Sequence, residues 1–191
     1  TSAGRVWVTQ TFPLRSGWSA IYSHVDASHV SLEQLTQNNL DIEEIWQWSP
    51  DFSSLQFLDN PDTPTDSPGN WLVWRRNDPS ITFDRLQGNT AYLVKLKAAA
   101  TQFQWTVKGS LVPVRYNWKS DGMNLVGFST VAQNPPNFAD FLAPVPRLLL
   151  ETPIYQYRGG DLGPANPLQV VTHRTTLVRR GEAFWVRAND S

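Results

Sequence analysis

Cysteine is absent from the 191 residues, which excludes disulfide staples, thiolate nucleophiles and cysteine-bound zinc together. Charge is also scarce. Charged residues make up 17% of the chain and the formal net charge is −1, so neither nucleic acid nor an anionic membrane surface is attracted at long range, and neither is expected as a partner. No apolar run approaches the roughly 18 residues of a membrane-crossing helix, so no membrane span is expected in this chain. The chain starts at Thr1 with no signal-like segment, as a module cut from a longer or processed protein would. Histidine numbers three, and the sequence carries no Gly-x-Ser-x-Gly elbow, no phosphate loop and no His-Glu-x-x-His helix. The chain is therefore expected not to be an enzyme, with no catalytic residue and no cofactor.

What the chain has in quantity is rings. Nine Trp, nine Phe and five Tyr exceed what a core of this size ordinarily uses, and they fall into a pattern. Gly122-Met123-Asn124-Leu125-Val126-Gly127-Phe128-Ser129 echoes Gly17-Trp18-Ser19-Ala20-Ile21-Tyr22-Ser23. Phe103-Gln104-Trp105-Thr106-Val107 echoes Arg5-Val6-Trp7-Val8-Thr9, Ile154-Tyr155-Gln156-Tyr157 echoes Ile45-Trp46-Gln47-Trp48, and Ala183-Phe184-Trp185-Val186-Arg187 echoes Ala91-Tyr92-Leu93-Val94-Lys95. Matches in the same order along both halves indicate an internal duplication, residues 1–100 as one copy and 101–191 as the other. No Gly/Ser-rich or charged spacer separates them at Ala98-Ala99-Ala100, so the expectation is one compact domain.

The local signals are mostly those of strands. Val6–Val8, Trp18–Tyr22, Ile45–Trp48, Trp71–Trp74, Ile81–Phe83 and Ala91–Leu96 are β-branched or aromatic and bounded by turn formers, with Pro13 and Gly17 read as a turn between the first two. In a strand, residues two apart share a face, so Trp46 and Trp48 project together. Ser31 stands three residues before Gln34 in the spacing of a capping box, which starts a short helix, and Asn137–Leu142 is its counterpart in the second half. The fold class expected is mainly β: two tandem homologous strand-rich repeats, each with a short helix, packed as one pseudo-twofold domain.

Gly122–Phe128, the short helix, the aromatic strand Ile154–Tyr157 and the closing Arg180-Gly181-Glu182-Ala183-Phe184-Trp185-Val186 together resemble the GWNLVGFP … PGxGYWV repeats of large exported and surface-attached bacterial proteins. The first half departs from that pattern at Ser19-Ala20 and Asn89-Thr90. The resemblance implies a non-catalytic extracellular structural or interaction module of a larger bacterial surface or secreted protein. Its partners would be other domains or subunits of that protein, and it would lie outside the cell or on its surface.

The alternative is a carbohydrate-binding module that uses surface Trp residues of copy one. Aromatics present in both copies are assigned to the core, whereas Trp18, Trp71, Trp74 and Trp118 lack aromatic counterparts and are freer to serve a surface. Trp74 precedes Arg75-Arg76-Asn77-Asp78, a flat apolar face beside donors and acceptors, which suits a sugar ring and its hydroxyls; these five residues are the candidate ligand site, with glycans as the ligand. His24, Asp26 and His29 lack a recognised metal spacing, and the prolines among Asp59, Asp62 and Asp66 prevent a compact calcium turn. No metal is therefore expected. Glu43 and Glu44 are adjacent and would point to opposite faces of a strand; a carboxylate pair for glycoside hydrolysis made by acidic residues that meet in space stays open.

Overall fold

A computed structural model describes residues 6–48, 71–98, 103–119, 122–147, 153–157 and 168–188. Strand occupies 46% and helix 7% of these residues, which are mainly β and form three antiparallel sheets. No helix among the described residues is long and apolar enough to cross a membrane.

The first sheet is a ribbon that joins the two halves of the chain. β1 (Trp7–Leu14) pairs antiparallel with β7 (Phe103–Leu111), and β3 (Val25–Asp26) pairs on the other side of β7. Alternation gives the ribbon one inner face: Gln10, Phe12 and Leu14 are buried on β1, Trp105, Val107 and Gly109 on β7. Phe12 faces Trp105 across the ladder, ring centroids 5.8 Å apart. Pro13 is not in a turn; it lies inside β1, which is an edge strand, the one place in a sheet where a missing N–H costs little.

The structure corrects the matching of Trp7 with Trp105. Trp105 is 1% exposed and Trp7 43%, because inward residues carry even numbers on β1 and odd numbers on β7. Matching the two rings slips the alignment by one residue, and in a strand one residue is the opposite face.

Two larger sheets follow. β2 (Gly17–Ser23), β6 (Thr90–Leu96), β4 (Ile42–Trp48) and β5 (Trp71–Arg75) lie side by side in that order. β8 (Gly122–Val126), β11 (Phe184–Ala188), β9 (Tyr155–Tyr157) and β10 (Leu168–Val170) do the same. Each sheet thus runs first strand, last strand, second, third. The segment Ile81–Phe83 is not a strand; Thr82 docks on Val73 through backbone and hydroxyl bonds at 2.8 and 2.6 Å without forming a ladder. Helix α1 (Leu32–Thr36) has the capping box at Ser31 and Gln34, and α2 (Phe138–Phe141) is capped by Asn137.

These elements stack in layers around three clusters. The ribbon and α1 cover one face of the first large sheet, bringing Phe12, Trp105 and Leu32 against Ile45, Trp74 and Tyr92. The opposite face carries Trp18, Trp46, Trp48 and Trp71, which meet Met123, Leu125 and Trp185 of the second sheet. The second sheet's outer face packs Phe128, Phe184 and Val186 on Phe138 and Leu142 around α2. The first large sheet is consequently buried on both sides, and this two-sided burial explains the abundance of rings: Trp18, Trp71 and Trp74, expected to be freer for a surface role, are 5%, 4% and 2% exposed. Of that group Trp118 alone is exposed, at 38%.

Two glycines permit the close contact between halves. A Cβ on Gly127 would lie 2.2 Å from Tyr22 Cβ and 2.6 Å from the Glu182 carbonyl oxygen. Gly181 has φ +90°, a conformation that side chains strain against, and its carbonyl accepts the Tyr22 N–H at 2.9 Å.

Candidate functional site

The stretch Trp74–Asp78 forms the end of β5 and the turn after it. Trp74 points into the core, and the Arg76 guanidinium lies 5.5 Å from the centre of its ring. No face of this ring is open to a sugar, which corrects the expectation of a stacking surface at Trp74. The donors beside it are engaged as well. Arg76 donates through Nε to the Ile42 carbonyl at 3.0 Å and through a terminal nitrogen to the carbonyls of Thr36 and Asn39 at 3.2 and 3.3 Å. It therefore ties the end of α1 to β4. Asn77 takes φ +60° to close the turn, and Asp78 accepts the Ser80 N–H at 2.8 Å. The polar composition that suggested a ligand instead describes a well-satisfied strand end.

Arg75 leads to a different centre. It sits opposite Glu44 on β4 and donates to it at 3.1 Å, while Lys95 on β6 reaches the other carboxylate oxygen at 2.9 Å and the Trp46 indole donates at 2.8 Å. Burial pushes the Glu44 pKa up; the bonds from Lys95, Trp46 and Arg75 outweigh it and hold the carboxyl below its ordinary value. Arg75 also lies 5.1 Å from the Trp46 ring centre and Lys95 5.6 Å from that of Trp18. This network seals one end of the tryptophan layer, where charged groups meet ring faces.

His24, Asp26 and His29 do not converge on a point where a metal could sit. His24 is 2% exposed and packs 5.0 Å from Tyr22, whereas His29 is exposed and sits edge-on to Trp7 at 4.6 Å. Asp26 Oδ1 accepts from the backbone and hydroxyl of Ser28. Among the described residues no three His, Asp or Glu side chains stand together; Asp59, Asp62 and Asp66 lie outside the described residues. Burial lowers the His24 pKa to about 4, helped by the charge of Arg180, and the Phe128 backbone pulls slightly the other way.

Two clefts open where the halves meet. The smaller, about 340 Å³, has Arg15, Arg179 and Glu182 among its lining residues. Burial raises the Glu182 pKa against the opposing charges of Arg179 and Arg15. The larger, about 580 Å³, is lined from the first half by Gln47, Gln87 and Asn89 and from the second by Arg115, Tyr116 and Asn117. Its far wall is fixed by Asn124, which accepts the Lys119 N–H at 2.8 Å and donates to the carbonyls of Lys119 and Gly122 at 3.0 Å. The asparagine of the Gly122–Phe128 motif thus ties Lys119 to the start of β8. Sequence reasoning missed both clefts, because each draws on segments far apart in the chain. No family model matches the chain, and no curated protein or solved structure shows significant similarity to it.

Proposed function

We propose that the chain is a non-catalytic structural or interaction module of a larger bacterial surface or secreted protein, built from two copies of one strand-rich unit about a pseudo-twofold axis. The observation that carries this reading is the shared strand order of the two large sheets. Residues matched in sequence also support it by their layer: Trp18 and Met123 both face the seam, as do Trp46 and Trp48 with Tyr155 and Tyr157. The two helices cover the outer faces, through Leu32 in one half and Phe138 in the other. Ser19 and Asn124, at the same place in the motif, each accept a backbone N–H from the chain before their strand, Ser19 that of Arg15 at 3.1 Å and Asn124 that of Lys119 at 2.8 Å. A unit whose rings are consumed in joining its copies is suited to carrying load and spacing its neighbours.

The reading of copy one as a sugar site at Trp74 is not favoured, since that ring is enclosed. The module reading is tested by excising residues 1–191 from the parent polypeptide. Surface display or assembly of the parent is expected to fall while any enzymatic activity per displayed molecule is unchanged. A fall in activity per molecule, with display intact, would overturn it.

A further inference from the structure

The lining of the larger cleft is rich in amides and basic groups. Its described residues include Arg115 and Lys119 and no carboxylate. The side chains of Gln47, Gln87, Arg115 and Asn117 make no hydrogen bond or ion pair among the described residues. Three of these are amides, and an amide both gives and accepts hydrogen bonds, which matches neighbouring hydroxyls on one ring. Tyr116 supplies a half-buried ring whose orientation is fixed on several sides. Its centroid lies 6.4 Å from Tyr22, 6.2 Å from Phe128 and 6.2 Å from Trp118, and its hydroxyl accepts the Ser129 N–H at 3.2 Å. The Asn124 brace holds the adjoining wall, so little ordering remains to be done on binding. A volume of about 580 Å³ falls within the roughly 300–1,000 Å³ of small-molecule sites.

We propose that this cleft, formed jointly by the two halves, binds an acidic saccharide, with the Tyr116 ring against the sugar face, the amides of Gln47, Gln87 and Asn117 on its hydroxyls, and Arg115 on its carboxylate. An extended acidic peptide fits less well. The strand edge beside the cleft is β8, every residue of which is buried, so a peptide has no open backbone ladder to join. The proposal does not depend on the module reading: its failure leaves that reading intact, and removal of the module from its parent does not test it.

The experiment is calorimetric titration of the purified protein with a galacturonate oligomer, a galactose oligomer of the same length, and a poly-glutamate peptide. The uronate is expected to bind at least about ten-fold more tightly than the neutral oligomer, the difference a charge-assisted contact supplies. Arg115→Gln should weaken uronate binding by about ten-fold and abolish that preference, while Asn117→Ala should weaken both sugars. Both residues are exposed, so unchanged denaturation midpoints should accompany these losses. Absence of uronate binding, an unchanged uronate affinity in Arg115→Gln, or poly-glutamate binding as tight as uronate would each overturn the assignment.

Discussion

Gly127→Ala puts one methyl group at the point where the halves come closest. That carbon would sit 2.2 Å from Tyr22 Cβ, 2.5 Å from Tyr22 Cγ and 2.6 Å from the Glu182 carbonyl oxygen, more than about 1 Å inside the separation at which carbon atoms attract. Neither obstacle is the free end of a flexible side chain. Tyr22 is 2% exposed and its backbone is tied to Gly181, while the other contact is main chain. Relief requires the seam to open, and overpacking of this kind costs about 1–3 kcal/mol or more. Tyr22→Gly removes both of the tyrosine carbons that the methyl would meet; alone it leaves a cavity and should cost at least about 3–5 kcal/mol, the range of aromatic truncations in cores. In the double variant neither side-chain carbon of residue 22 opposes the new methyl and only the Glu182 carbonyl still does, so the summed single costs should exceed the double cost by at least about 1 kcal/mol. Urea denaturation of the four proteins measures the cycle. Additivity within about 0.5 kcal/mol would refute the claim that Tyr22 and Gly127 share one space, and a stable Gly127→Ala single variant would refute the close approach itself.

Other outcomes follow from the same layers. Trp105→Ala should cost about 3–5 kcal/mol, whereas Trp7→Ala, on the outward face of the ribbon, should stay within about 0.5 kcal/mol of wild type by denaturation midpoint. Trp71→Ala and Trp74→Ala should both destabilise strongly, because they serve opposite buried faces of one strand; a mild effect at Trp74 would return it to the surface. His24 titrates near 4 in the folded protein against an ordinary value of about 6.5, so the unfolded chain binds the extra proton first and stability falls as pH drops through that window. The loss should reach about 2 kcal/mol by pH 5 and about 3 kcal/mol by pH 4. Glu182, whose pKa is raised, has the opposite sign, so the comparison needed is the pH slope of wild type against His24→Gln: equal slopes between pH 6.5 and 4.5 would dismiss His24 as the cause.

Much of the fold could be read from local chemistry. Ser31 with Gln34 marked a helix start, and the two-residue spacing of Trp46 and Trp48 put both rings on one face, because these rules act within a few residues. Which face is buried is a different kind of fact. It depends on what lies above and below the strand, and the first large sheet is covered on both sides, so the polar residues after Trp74 misled: they mark the end of β5 and not an exposed ring. Trp7 misled in the other direction, since a match of residue types ignores the phase of alternation. Ile81–Phe83 has strand composition but meets β5 only where Thr82 bonds Val73, too short a contact to make a ladder. The clefts were illegible because Gln47, Gln87, Tyr116 and Asn117 meet only after the order of strands brings them together.

The ribbon has a consequence for how the chain is made. β1 emerges early from synthesis, but the partner that satisfies its backbone and covers Phe12 is β7, residues Phe103–Leu111. Until that strand appears, Phe12 and Leu14 lack Trp105 and Val107, and the inner face of the first large sheet is covered by β1 and α1 alone, so the first hundred residues cannot complete their own core however long translation pauses. Such a long wait exposes an unpaired edge. When several chains fold at once, β1 of one can meet β7 of another with identical register and identical contacts, so that crowded refolding should produce exchanged dimers where dilute refolding gives monomers.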